Sequence, residues 1–111
     1  MDAMSIKIDI KPLSINQAFQ GKRFKTPKYK AYEEELLWML PPLEVPTGPL
    51  SVFYRFGVSS KLSDWDNPIK CLQDVLQKKY DFDDKHIMKA EVEKVLVPKG
   101  EEFVEFEINS L

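Results

Sequence analysis

The sequence predicts an α+β fold: one small domain spanning 1–111, with a four-stranded sheet, two helices packed on one face of it, and elements in the order β-α-β-α-β-β. Three observations predict it. A chain of 111 residues, 43% hydrophobic and 31% charged, holds one modest core and leaves no room for a second. Four stretches alternate apolar and polar residues with the period of a half-buried strand, and two others repeat apolar residues at helical spacing. The prolines fall at the ends of these stretches, where a missing N–H costs little.

Ile6, Ile8 and Ile10 alternate with Lys7, Asp9 and Lys11 in a first strand that Pro12 ends. Leu13 to Thr26 keeps no sustained period and carries Asn16, Gly21, Lys22, Arg23 and Lys25, so it reads as a basic loop. Thr26 is an N-cap with Pro27 at the first helical position. Tyr29, Tyr32, Leu36 and Leu40 form the apolar stripe of a helix over Pro27–Met39, which stops before Pro41-Pro42. Glu33, Glu34 and Glu35 fall off that stripe on a solvated face, and Leu43 to Pro49 is a stiff connector. Leu50, Val52, Tyr54, Phe56 and Val58 face inward from a second strand. Asn67 is expected to cap the second helix, with Pro68 in its first turn and Ile69, Leu72, Val75 and Leu76 turned inward. Met88, Ala90, Val92 and Leu96 mark a third strand, Pro98-Lys99-Gly100 turns the chain, and Val104, Phe106 and Ile108 mark a fourth.

The length of the second helix decides how the third strand runs. A helix running on from Pro68 to Tyr80 leaves Asp84 too far away to return to Asp66, so that Asp84 would have to come from the partner subunit; a helix ending near Gln77, which the non-helical look of Tyr80 to Asp83 favours, lets the chain double back, the third strand then lies antiparallel to the second, and Asp84 returns to Asp66 within one chain. The open face of the sheet is the expected dimer surface.

A formal net charge of −2 argues against a general nucleic-acid binder, but the charge is unevenly placed. Residues 1–30 hold seven Lys or Arg against two acids, a net of +5, and residues 31–111 hold nine against sixteen, a net of −7. Basic side chains interleaved with Phe19, Phe24 and Tyr29 suit a phosphate backbone with bases to stack on. The lone Cys71 excludes an internal disulfide, Met1 to Lys11 is too polar for a signal segment, and no apolar run approaches the ~18 residues of a membrane helix. A cytoplasmic protein without membrane contact is the expectation.

Chemistry is sought in residues 64–84, where Asp64, Asp66, Asp74, Asp83 and Asp84 cluster with Lys70. Two carboxylates brought to about 5 Å repel by roughly 3 kcal/mol at an effective dielectric of 20, so such a cluster calls for a cation. Asp66, Lys70 and Asp74 fall along one polar helix face; as surface ion pairs they are worth only about 0.3–0.5 kcal/mol each, which leaves the excess acid unexplained. A calcium loop counted from Asp64 needs glycine and glutamate where Ile69 and Val75 stand. Zinc lacks ligands, since Cys71 and His86 are the only cysteine and histidine. An all-oxygen site suits Mg²⁺ or Mn²⁺ and directs attention to phosphodiester or phosphoanhydride chemistry, without any glycine-rich nucleotide loop.

The pattern D-x-D-N-x-x-K-x-x-x-D-x-L followed by D-D-x-x-I is formed by Asp64, Asp66, Asn67, Lys70, Asp74, Leu76, Asp83, Asp84 and Ile87. It resembles the RusA family of Holliday-junction resolvases, and Pro12-Leu13-Ser14-x-Asn16 resembles the P-x-S-x-N that follows the first strand there. The resemblance covers nearly the whole chain. It implies a homodimeric, Mg²⁺-dependent endonuclease, with Mn²⁺ as a substitute, acting in DNA recombination and repair in a bacterial host or a phage. Such an enzyme cuts two opposed strands of a four-way DNA junction. The resemblance assigns Asp64, Asp66 and Asp84 to the metal and adds Lys70 to the catalytic set, with Asp74 and Asp83 at acidic positions around them. The expected DNA contacts are Asn16, Lys22, Arg23, Lys25 and Lys28. Ser63 departs from the proline that many members carry before the first aspartate. His86, a lone histidine at a strand start, is read as structural. Two other functions compete: a module of the same fold that binds branched DNA without cutting it, and a protein-interaction domain.

Overall fold

The structure, a computed structural model, describes residues 5–20 and 24–111. In chain order its elements are β1 (Ile6–Ile8), α1 (Ile15–Ala18), β2 (Phe19–Gln20), β3 (Phe24–Lys25), α2 (Pro27–Met39), β4 (Leu50–Val58), α3 (Ile69–Tyr80), β5 (Ile87–Leu96) and β6 (Phe103–Ser110), with a 3₁₀ turn at Asp84–His86. Four strands make a mixed sheet in the order β1-β6-β4-β5, and β2 and β3 make a small separate ribbon. The α+β class, the two long helices and the four-stranded sheet follow the sequence. The segment expected to be a loop instead contains α1 and the β2–β3 ribbon.

Local chemistry sets the helix bounds. Thr26 Oγ1 accepts the Tyr29 N–H at 3.3 Å, Pro27 opens α2, and the chain leaves it before Pro41. Tyr29, Tyr32, Leu36 and Leu40 pack into the core against Leu72, Val75 and Leu76 of α3 and the inward row Leu50, Val52, Tyr54, Phe56 and Val58 of β4. Each fully buried leucine or valine contributes roughly 1.5–3 kcal/mol relative to an exposed one. Gly57 has a steric role: a Cβ there meets the Phe103 ring at 2.3 Å, so only glycine lets β6 begin directly over β4.

Two expectations about strand direction are overturned. Helix α3 continues to Tyr80, and Asp81 ends it in the left-handed region (φ 54°), donating its N–H to Gln77 O at 2.9 Å. The chain therefore emerges at the far end of the sheet. Ile87 pairs with Leu50 at the start of β4, and β5 runs parallel to β4 instead of antiparallel. Pro98 to Gly100 does not make a β5–β6 hairpin either. The connector 97–102 passes the end of β4, with Val97 N donating to Val58 O at 2.9 Å, and β6 pairs on the other side of β4.

Strand β5 is left as a parallel edge. Met88 is the extra residue between the pairs Leu50–Ile87 and Ser51–Lys89, and it is 63% exposed. Beyond this bulge the register sets Ala90, Val92 and Leu96 on the same face as Val52, Tyr54 and Val58, yet Ala90 and Leu96 remain exposed. The opposite, open face is charged, with Arg55 bridging Glu93 at 3.3 Å and Glu105 at 3.0 Å.

Candidate metal and nucleic-acid site

Asp64 and Asp66 lie on the loop between β4 and α3, both exposed. Asn67 does not cap the helix as expected. Pro68 takes the cap position with no side-chain bond, and Asn67 Nδ2 instead donates to Asp64 Oδ2 at 3.0 Å. Proline cannot offer a capping oxygen, so the Asn67 amide is free to orient the carboxylate. Lys94 Nζ, from β5, donates to Ser63 O at 2.8 Å and braces the loop just before Asp64. In the first turn of α3, Lys70 Nζ pairs with Asp74 Oδ2 at 3.1 Å, and both side chains stay partly exposed. Asp64 and Asp66 thus present two hard oxygen donors on one turn, the kind of donor set that Mg²⁺ or Mn²⁺ takes with several waters retained.

The basic segment is tied to this loop through α1. Ser14 caps α1 by accepting the Asn16 N–H at 3.1 Å, and Ile15 N donates to Asn67 O at 3.0 Å, joining two sequence motifs about fifty residues apart. Thr26 Oγ1 donates to Gln17 O at 2.6 Å and Thr26 N to Ala18 O at 2.9 Å, fixing the base of the β2–β3 ribbon and the start of α2 against the same short helix. Asn16 and Lys28 are exposed on this side. Lys25 lies 3.3 Å from Glu33 and stacks its ammonium 4.9 Å from the Tyr29 ring centre. Lys22 and Arg23 lie outside the described residues.

Sequence reasoning missed Lys78. With Lys25, Lys70, Phe19 and Tyr29 it lines a groove of about 470 Å³ between α2 and α3. The signal was present, since Lys70, Asp74 and Lys78 repeat every four residues on one helix face. Glu33 is not simply solvated, for it accepts from Lys78 at 2.7 Å as well as from Lys25. Partial burial acts to raise its pKa, but the bonds from Lys78 and Lys25 outweigh this and hold the carboxyl below its usual range.

Asp83 and Asp84 sit elsewhere. Asp83 caps the 3₁₀ turn by accepting the Lys85 N–H at 3.0 Å; that bond, with the Lys85 charge, lowers its pKa. Asp84 opens the same turn, just before Ile87 pairs with the start of β4, whereas Asp64 and Asp66 follow the end of β4. Nine residues of strand and twelve of α3, about 18 Å of helix rise, separate those two levels. Asp84 is close enough to Tyr54, whose hydroxyl donates to Gln73 Oε1 at 3.0 Å, to add to the burial that raises the tyrosine pKa. Among the described residues no three His, Cys, Asp or Glu side chains meet in a metal-binding group. The expected return of Asp84 to Asp66 within one chain therefore does not occur, because α3 carries the chain three turns away before it can fold back. His86 is exposed at the rim of a different recess, with Tyr80 and Phe82.

Compared with known proteins, residues 14–108 match the family described as Endodeoxyribonuclease RusA. That span contains the Ser14–Asn16 segment, the Asp64–Asp74 segment and Asp83–Asp84. No curated protein matches the chain.

Proposed function

The chain belongs to the RusA endodeoxyribonuclease family, and from that premise we propose that it resolves four-way (Holliday) DNA junctions by Mg²⁺-dependent phosphodiester hydrolysis, as a homodimer acting in recombination and repair. The observation that carries the reading is the Ile15 N–Asn67 O bond, which seats the basic N-terminal segment beside the Asp64–Asp66 loop. A phosphate backbone gripped by Asn16, Lys25 and Lys28 then runs past two carboxylates and the Lys70 ammonium.

Asp64 and Asp66 would hold the divalent ion, with Asn67 fixing the Asp64 carboxylate through its side-chain amide. When bound, Mg²⁺, or Mn²⁺ in its place, supplies positive charge to the phosphate oxygens and a more acidic water. Lys70 exchanges its Asp74 partner for the phosphate and stabilises the charge that develops on it. Asp74 keeps that ammonium in place between turnovers, and Asp83 shapes the turn that presents Asp84.

Asp84 reaches a site only across the dimer in this proposal. Parallel strands are ordinarily covered on both faces, and β5 has a free backbone edge beside uncovered Ala90 and Leu96. Two copies of β5 paired antiparallel about Val92 set Met88 of one protomer opposite Leu96 of the other. Leu96 pairs with Val58, six residues before Asp64. The partner's Asp84 then faces the carboxylate loop. This moves the dimer surface from the charged open face to the β5 edge and its apolar row. A cytoplasmic setting, in a bacterium or encoded by a phage, accords with this substrate.

The test is a labelled four-way junction incubated with the protein in Mg²⁺ and in EDTA, beside Asp66→Asn. Paired cuts in opposed strands with Mg²⁺, none with EDTA, and retained junction binding by Asp66→Asn are expected. Binding without cutting in Mg²⁺ or Mn²⁺ reduces the protein to a branched-DNA-binding module; neither binding nor cutting leaves a protein-interaction domain.

A further inference from the structure

A recess of about 350 Å³ opens beside the carboxylate loop, with Lys11, Ser14, Gln17, Ser59, Glu102 and Asp64 in its wall, so that Asp64 belongs to its lining. This volume lies at the lower end of the range for small-ligand sites, which suits one flat ring system better than a folded side chain. Three of the four serine hydroxyls in its wall already make a hydrogen bond: Ser59 Oγ donates to Glu102 at 2.8 Å, Ser60 Oγ accepts the Leu62 N–H at 3.2 Å, and Ser14 Oγ accepts from Asn16. Lys11 and Gln17 make no side-chain hydrogen bond among the described residues; the Lys11 charge is near enough to Glu102, in the same wall, to act on its carboxylate, and the Gln17 side-chain carboxamide keeps both its donor and its acceptor open. Leu62, at the rim, is 91% exposed, an unusual position for a large apolar side chain, and Trp65 nearby is 57% exposed.

From this arrangement we infer that the recess takes the base of one nucleotide next to the scissile phosphate, unstacked from the branch point, and that Gln17 and Lys11 read its edge. The inference rests on the proposed junction-cutting function. A carboxamide offers a donor and an acceptor side by side and matches a base edge in two hydrogen bonds, and an ammonium suits paired ring-nitrogen and carbonyl acceptors. Unstacking costs least at a branch point, where stacking is already interrupted, and an exposed leucine or tryptophan beside the recess fills the gap that the departing base leaves. Asp64 on the recess wall keeps the base within one nucleotide of the phosphate to be cut. Gln17 and Lys11 act as specificity residues, since neither meets the reacting atoms.

The experiment uses four-way junctions identical except for the nucleotides flanking the cut, with initial cutting rates compared among wild type, Gln17→Ala and Lys11→Ala in Mg²⁺. Wild type is expected to prefer one base, and Gln17→Ala is expected to reduce that preference about tenfold, the size of one lost base-edge pairing. Gln17 and Lys11 are exposed and make no side-chain bond, so both variants fold; matching urea midpoints check this. Equal rates for all bases in wild type, or superimposable profiles in both variants, overturn the inference while leaving the nuclease reading intact. A uniform loss of rate with unchanged ratios in Lys11→Ala and Gln17→Ala shows that the recess holds backbone phosphate, which also overturns it. Absence of both binding and cutting by wild type removes the nuclease reading and the inference together.

Discussion

Replacing Val92 by lysine is expected to dissociate the homodimer without unfolding the protomer. Val92 is half-buried at the middle of β5, on the side of the sheet where Ala90 and Leu96 are exposed. Antiparallel pairing of two β5 strands brings this position opposite, or one pair away from, its own copy. Two ammoniums about 6 Å apart at an effective dielectric of 20 repel by roughly 3 kcal/mol. Loss of the apolar contact adds about 1 kcal/mol. Together these give about 4 kcal/mol, close to a thousandfold weaker association. In the isolated protomer the lysine stem lies along the half-open face and its head reaches water, so the urea midpoint is expected to fall only slightly. Sedimentation equilibrium over a range of concentrations measures the association, and junction cutting should fall with it. A Val92→Lys protein that dimerises and cuts like wild type would refute the β5 interface, as would a wild-type chain that stays monomeric at every concentration.

Gly57→Ala is expected to destabilise the fold by about 1–3 kcal/mol through collision with the Phe103 ring, and Phe103→Leu in the same chain is expected to restore part of it, read from urea midpoints. Lys28→Ala is expected to flatten the salt dependence of junction binding by about one unit of slope, and an unchanged slope excludes Lys28 as a phosphate contact. Glu33 has a folded pKa below its ordinary 4.5, so its bonds to Lys78 and Lys25 stabilise the fold above that value and lose their effect as pH falls through the folded pKa. Urea unfolding of Glu33→Gln is therefore expected to show a deficit at pH 7 that disappears in strong acid; a deficit independent of pH assigns the loss to packing instead.

The legible parts of the fold were those with strong local punctuation. Thr26-Pro27 and Pro41-Pro42 bound α2 at the positions read from sequence, and the alternation of Leu50 to Val58 defined β4 completely. Helix α1 was hidden because four residues are too short to show a period, although Ser14 two residues before Asn16 was a capping signal. The end of α3 is poorly signalled because Asp81 adopts the left-handed cap conformation that glycine or asparagine usually announces. That single residue governs the direction of β5, and with it whether Asp84 meets Asp66 in one chain or across two. The Lys70–Asp74 pair was legible because the two residues stand four apart on one helix face. The bond from Ile15 to Asn67 was not, since it depends on tertiary placement of a segment that local propensity leaves undefined.

The most direct test of the shared site is a mixed dimer of Asp66→Asn with Asp84→Asn, assayed on a labelled four-way junction in Mg²⁺. Each mutant alone is inactive in the proposed arrangement, but the mixed dimer keeps one centre in which an intact Asp66 meets the partner's Asp84, so the mixture is expected to nick one strand of the junction. No nicking by a mixture shown to have exchanged subunits would contradict the account.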